Sequence, residues 1–193
     1  MDTTKKGKIV VISAPSGCGK STIINSIIDR GDIPLNFSVS ATNRAPREGE
    51  TNGVHYHFLS TSEFLRKVSN DEFVEWEEVY PGRYYGTLKD EIRRSVDRGE
   101  NVILDIDVKG AQTVKKLFGH QALTIFIMPP SVDELRRRLE ARQTDSPEVI
   151  DQRVGKAAEE IGYADTFDCR VVNDNLPTAV DDTRQIILNF LNS

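Results

Sequence analysis

Gly17, Gly19, Lys20 and Ser21 stand together in the run Ser13-Ala-Pro-Ser-Gly-Cys-Gly-Lys-Ser-Thr22, and residues of these types at this spacing bind polyphosphate. A glycine-rich turn can point successive backbone N–H groups into one hollow, and a helix opening from that turn adds its positive dipole end. The lysine brings a mobile charge to the β- and γ-phosphates, and the serine hydroxyl is placed to ligate Mg²⁺. The full pattern G-x-x-x-x-G-K-[ST] is not met, because Ala14 stands where the first glycine belongs. The parts that touch phosphate remain, so Ala14, Pro15, Ser16, Gly17, Cys18, Gly19, Lys20, Ser21 and Thr22 are read as a nucleotide-binding loop. The plainer alternative is a strand-to-helix turn with an exposed lysine. Cys18 reads as a small residue filling that turn rather than as a reactive thiol.

A second cluster is Ser38-Val-Ser-Ala-Thr-Asn-Arg-Ala-Pro-Arg-Glu-Gly-Glu50, where Arg44 and Arg47 flank a proline-stiffened turn. Two guanidinium forks on one loop suit a phosphate monoester, and Tyr56 could add a hydroxyl. The competing use of these arginines is pairing with Glu48 and Glu50. An enzyme that moves a γ-phosphoryl group needs a second anionic pocket to hold the acceptor in line, and this cluster would provide it.

The third cluster, Glu72 to Thr87, contains the strand-like Phe73-Val-Glu-Trp-Glu-Glu-Val79. As a regular strand it puts Val74 and Trp76 on one face and Phe73, Glu75, Glu77 and Val79 on the other. An ionised Glu75 accepts hydrogen bonds only. It could take both the N1–H and N2–H₂ donors of guanine while repelling the N1 lone pair of adenine, with hydroxyls from Ser40 and Thr87 serving O6. Without that context Glu75 is simply a solvated strand residue.

Two further groups complete the set. The apolar strand Val102 to Asp105 delivers Asp105 and, two residues on, Asp107 to the carboxyl end of a sheet, where ligands bind in parallel α/β proteins. Asp105 would then support the Mg²⁺ held by Ser21, or else cap the next helix. In Leu135 to Pro147, Leu135 and Leu139 mark a packed face and leave Arg136 and Arg137 as solvated charges. Arg142 at the end of that helix and Arg153 on the next could reach the transferring phosphate and exclude water.

These side chains need a frame. Apolar runs at Ile9 to Ile12, Asn101 to Ile106, Leu123 to Met128 and Arg170 to Val172 alternate with helical patterns, which argues for an α/β fold with a parallel sheet covered by helices on both faces. Ser60 with Glu63 and Ser131 with Glu134 read as capping boxes, Ser146 before Pro147 as an N-cap, and about Thr178 to Leu191 as the last helix. Between roughly Phe37 and Gly86 short alternating strands, including Val54 to Phe58, suggest an inserted β-rich lobe.

Composition narrows the classes. The 193 residues carry 25 basic and 30 acidic side chains, a net charge of −5, so a nucleic-acid backbone is not an expected partner. No apolar run reaches membrane-spanning length, and the first eight residues lack the apolar stretch of a signal peptide, so the expected location is the cytoplasm with no membrane partner. The two cysteines make neither a metal site nor a disulfide framework.

In this order the clusters resemble guanylate kinases from about Lys8 to the last helix. The resemblance rests on Ala14 to Thr22, Phe37 to Glu50, Glu72-Phe-Val-Glu-Trp76, Tyr84-Tyr-Gly-Thr87 and Ile103-Leu-Asp-Ile-Asp107. It implies a three-layer P-loop fold with a parallel central sheet, an inserted β-rich GMP-binding lobe and a helical lid. The core would take about 5–36, 88–130 and 165–193, the lobe about 37–87 and the lid about 131–164. It also implies transfer of the γ-phosphoryl group of ATP to GMP, and to dGMP, with Mg²⁺. By the same resemblance Arg44, Arg47, Tyr56 and Tyr85 hold the GMP phosphate, with Glu50 counted among the substrate-binding residues. Ser40, Glu75, Thr87 and Asp107 read guanine. Lys20, Arg142 and Arg153, together with Arg44, act on the reaction, Ser21 and Asp105 support the metal, and adenine lies near Asn173 and Asp174. Two departures are Thr87 in place of a common serine and the extra length of Tyr80-Pro-Gly-Arg83. The partners implied are ATP and GMP, and the chain is expected as a monomer or small homo-oligomer. A non-catalytic peptide-binding relative and a kinase for another acceptor are the rival readings.

Overall fold

A computed structural model describes residues 6–141 and 146–193. Arg142 lies outside the described residues. In chain order the elements are β1 (Ile9–Ser13), α1 (Lys20–Asp29), β2 (Asn36–Phe37), β3 (Ala41–Thr42), β4 (His57–Phe58), α2 (Thr61–Ser69), β5 (Phe73–Tyr80), β6 (Arg83–Leu88) and α3 (Lys89–Asp97). They continue with β7 (Val102–Asp105), α4 (Val108–Phe118), β8 (Ala122–Met128), α5 (Val132–Ala141), α6 (Pro147–Ile161), β9 (Cys169–Val172) and α7 (Leu176–Asn192).

The chain divides into two compact units. The first takes the chain up to Ile9 and Leu35–Leu104. In it β2 and β7 run parallel, with Asn36 opposite Val102 and Phe37 opposite Ile103. The remaining strands form a sheet in the order β4-β3-β6-β5, antiparallel around β6. The helix α2 closes one face of this sheet: Phe64 stacks on Phe73 at 4.5 Å and on Tyr84 at 5.5 Å, over Ala41. Its start is the expected capping box, with Ser60 and Glu63 each accepting from the other's backbone N–H.

Two strand expectations are corrected here. The strand expected over Val54 to Phe58 shrinks to His57–Phe58. Residues 51–56 satisfy one another locally instead, Gly53 N–H donating to the Tyr56 carbonyl at 2.8 Å and Thr51 N–H to His55 Nδ1 at 3.0 Å. On β5, Phe73 pairs with Leu88 and Glu75 with Thr87, so Val74 is an extra residue in a bulge. Phe73 therefore shares a face with Trp76 and Gly86, not with Glu75, and both Phe73 and Val74 are buried.

The second unit takes Val10–Pro34 and Asp105–Ser193. Here β1, β8 and β9 are successive neighbours, with β8 and β9 parallel from Ile125 opposite Cys169 to Met128 opposite Val172. Ile23, Ile24 and Ile27 of α1 and Ala179, Val180, Thr183 and Ile187 of α7 supply buried faces at helical spacing. The two helices pack on each other, and Arg30 pairs with Asp181 and Arg184 with Asp32. On α5 and α6 the buried residues are Leu135, Leu139, Ile150 and Ala157. Ser131 Oγ accepts from Glu134 N–H at 3.1 Å, but the Glu134 carboxylate turns to Arg137 and Arg138, so only half of that expected box forms. Ser146 is the N-cap of α6 as expected, with Pro147 next, but its side chain makes no capping bond. Both units thus contain parallel strands accompanied by helices, the α/β architecture implied by the order of the apolar runs. No helix among the described residues is long and apolar enough to cross a membrane.

Candidate nucleotide sites

In the second unit β1 is buried along its whole length and ends at the loop. Gly17 (φ 95°) and Gly19 (φ 83°) both take left-handed backbone, a conformation with little cost only for glycine. A Cβ on Gly17 would also lie 2.9 Å from Leu139 Cδ2 and 3.0 Å from Leu135 Cδ1. The helix α1 begins at Lys20 without a side-chain cap, so its first N–H groups are left to the loop. Cys18 is fully buried, which supports its reading as a filler.

Lys20 Nζ pairs with Asp105 Oδ1, and the two side chains are 23% and 27% exposed. The helix-capping alternative for Asp105 is thereby answered, because β7 ends at Asp105 and leaves Asp107 at the N-cap of α4. Asp107 Oδ1 accepts from Gly110 N–H at 2.7 Å. Among the described residues no three acidic, histidine or cysteine side chains converge as a metal cage. Mg²⁺ is commonly held by one or two carboxylates together with substrate phosphates, and the chemistry of Ser21 and Asp105 fits that demand.

Beside the loop lies a cavity of about 330 Å³ bounded by Gly17, Gly19, Thr22, Arg138, Asn173 and Asp174 among others. Arg138 was not singled out by its sequence. Its guanidinium donates to Glu134 Oε1 and to the Asn173 carbonyl, both at 2.8 Å. With Arg137 and then Arg138 as donors, the Glu134 carboxyl is held down to about 2. The signal available is the Glu134–Arg138 spacing of four on one helix. Arg136 pairs with Asp151 across α5 and α6 at 2.7 Å rather than standing in solvent alone. Arg153 sits half-buried on α6. On the same helix Glu160, also unforeseen, has its carboxyl raised by burial, with the charges of Lys156 and Lys20 opposing.

In the first unit Arg44 and Glu50 form a bidentate pair, with N···O distances of 2.6 and 2.8 Å. Glu50 also accepts from Arg47 N–H at 2.6 Å. Arg44 therefore keeps its charge at any ordinary pH, and Glu50 is lowered to about 2, by Arg44 first and then by the Arg47 N–H. The pairing foreseen as a competitor instead orients Arg44. The guanidinium lies 5.2 Å from the Tyr56 ring centroid and 5.5 Å from that of Phe58, and its buried Nε has no partner. Tyr56 in turn meets Tyr85 edge-on at 5.9 Å, while Arg47 is exposed.

Three of the four residues expected to read guanine, Ser40, Glu75 and Thr87, fall into one row with Tyr56, while Asp107 is the N-cap of α4 in the second unit. Glu75 is opposite Thr87, Ala41 is opposite Gly86 and Ala41 is beside His57. Continuing the last two registers by one residue sets Ser40 opposite Thr87 and beside Tyr56. Tyr56, Ser40, Thr87 and Glu75 thus cross four strands on one face. Only Thr87 of these is fully buried; the other three are half-buried.

The family profile described as "Guanylate kinase" matches residues 6–189. The guanylate kinase of Porphyromonas gingivalis is 55% identical over 184 residues, covering 95% of this chain and 98% of its own. That of Bacteroides thetaiotaomicron is 50% identical, covering 96% and 91% respectively. The crystal structure of guanylate kinase from Anaplasma phagocytophilum superposes with a TM-score of 0.70 at 33% identity, over 98% of this chain and 88% of its own. A shikimate kinase structure from B. thetaiotaomicron, at 14% identity and a TM-score of 0.51, shares the fold alone. With a profile spanning nearly its whole length and relatives this similar, the chain belongs to the guanylate kinase family.

Proposed function

We propose that the chain transfers the γ-phosphoryl group of ATP to GMP, and to dGMP, through the residues assembled above, giving ADP and GDP. The observation that carries the base preference is the row Tyr56, Ser40, Thr87, Glu75. A carboxylate beside two hydroxyls matches the N1–H, N2–H₂ and O6 pattern of guanine, and family resemblance adds Asp107 to the guanine readers. Arg44, oriented by Glu50, and Arg47 bind the GMP phosphate with Tyr56 and Tyr85.

Phosphoryl transfer needs little side-chain acid–base chemistry. The loop Ala14 to Thr22 cradles the ATP phosphates with backbone N–H groups, and Lys20 leaves Asp105 to meet the β- and γ-oxygens. Ser21 and Asp105 would hold the Mg²⁺ that accompanies ATP, which would supply neutralisation of phosphate charge. Arg142 and Arg153 add donors to the transferring group and adenine rests near Asn173 and Asp174. We assign lobe 37–87 and lid 131–164 to aligning the acceptor and excluding water. A cytoplasmic place of work, and a monomer or small homo-oligomer, belong to the same reading.

The test is product analysis with Mg-ATP and a panel of GMP, dGMP, AMP, CMP, UMP and dTMP. GDP formation confined to the guanine acceptors is the expected result. Equal use of AMP rejects the row as a guanine reader, and a folded chain with no acceptor at all favours the non-catalytic alternative.

A further inference from the structure

Asn173, just beyond β9, is only 5% exposed and nearly all of its polar groups are committed. Its N–H donates to the Met128 carbonyl at 2.8 Å, at the end of β8. Its own carbonyl receives Arg138 from α5, also at 2.8 Å. Its side-chain Nδ2 donates to the carbonyl of Cys18, inside the phosphate loop, at 2.8 Å and from 155 positions away.

That last bond falls at a critical place. Cys18 lies between the two left-handed glycines, where neither helix nor strand dictates the peptide orientation. In a trans peptide the carbonyl of one residue and the N–H of the next point in opposite directions. Drawing the Cys18 carbonyl toward Asn173 therefore turns the Gly19 N–H away from Asn173 and fixes its direction, and a phosphate cradle requires N–H groups of fixed direction. The fit is close, since a Cβ on Gly19 would stand 2.6 Å from Asn173 Nδ2. Gly19 must thus be glycine for its φ and for the amide beside it.

We infer that Asn173 is a positioning residue for the phosphate loop, acting through the Cys18 carbonyl to present the Gly19 N–H to the donor phosphates. The inference rests on the reading of Ala14 to Thr22 as that loop. It differs from a contact to adenine because its effect is independent of the base.

The experiment is calorimetric titration of wild type and Asn173→Ala with Mg-ATP, Mg-UTP and Mg-tripolyphosphate, and separately with GMP. The expected result is an equal loss of about tenfold or more for every polyphosphate that the wild type binds, with GMP affinity retained. Asn173→His, whose ring N–H can replace the amide donor, should recover part of that loss. A loss confined to ATP overturns the inference in favour of a base contact. An equal loss of GMP affinity overturns it in favour of general packing. A wild type that binds none of the three polyphosphates overturns the loop reading and the inference together.

Discussion

Lys20 Nζ is ion-paired to Oδ1 of Asp105, the last residue of β7. The cation proposed for phosphate and the carboxylate proposed for the metal therefore neutralise each other, and replacing either changes the other's surroundings. Lys20→Ala is expected to lower kcat on the order of 10²- to 10³-fold, the usual loss when a transition-state charge donor is removed. Near-normal turnover of the purified variant would reject the loop's role. Asp105→Asn should retain more activity while needing more Mg²⁺ for half-maximal rate, which a magnesium titration of initial rates reads directly.

For Glu75, opposite Thr87, the expected consequence of Glu75→Ala is selective. KM for GMP should rise roughly 10- to 100-fold, as for loss of a charged hydrogen-bond acceptor, while KM for ATP stays put. Steady-state kinetics with each substrate varied in turn decide it, and equal losses for both nucleotides would dismiss the base-reading role.

The Glu50–Arg44 clamp sets a pH window. Glu50 titrates at about 2 in the folded chain, against an ordinary 4.5. A depressed carboxyl contributes stability above the unfolded value and loses it as pH falls through the folded one. The stability difference between wild type and Glu50→Gln, from urea unfolding, should thus hold constant from pH 5 to 8 and shrink between 4.5 and 2. A difference that already decays between pH 8 and 5 would contradict the clamp. Any change in GMP affinity in that neutral range should follow the second ionisation of its phosphate, near 6.

Gly86 is required by its neighbours rather than by its φ. A Cβ there would lie 2.7 Å from the Glu75 carbonyl oxygen, 2.8 Å from Phe73 Cδ1 and 2.9 Å from Trp76 Cβ. Gly86→Ala should cost roughly 1–3 kcal/mol, typical of overpacking, and weaken GMP binding by shifting Glu75. Thermal unfolding and KM for GMP are the two readouts, and a variant matching wild type in both would show that β5 yields freely.

The loop, the capped start of α2 and the buried faces of α1 and α7 were legible because local rules govern them: glycine at positive φ, Ser60 with Glu63, isoleucines at helical spacing. The chemistry of Glu75, Ser40 and Thr87 was legible in the sequence, but their alignment in one row with Tyr56 was not, since it depends on the registers of four strands. The bulge at Val74 escaped a period-two reading, which cannot see an extra residue when its partners, Thr87 and Leu88, lie on the next strand. Val54 to Phe58 alternate like a strand, but residues 51–56 close on themselves through Thr51, Gly53, His55 and Tyr56. No local pattern marks Arg138 or Glu160 as site residues. What distinguishes them is the Asn173 carbonyl in one case and burial near Lys20 in the other, neither adjacent in sequence.

The bulge also makes β5 more tolerant of substitution than of a change in length. Val74 can be exchanged for another apolar residue of similar bulk with its burial preserved. Deleting it would leave Phe73 and Glu75 as adjacent residues with no spare position between strand and core. The strand must then either surrender Phe73 from the aromatic stack or rotate Glu75 to the opposite face. Natural variation in this segment should therefore appear as changes of letter and almost never as gaps.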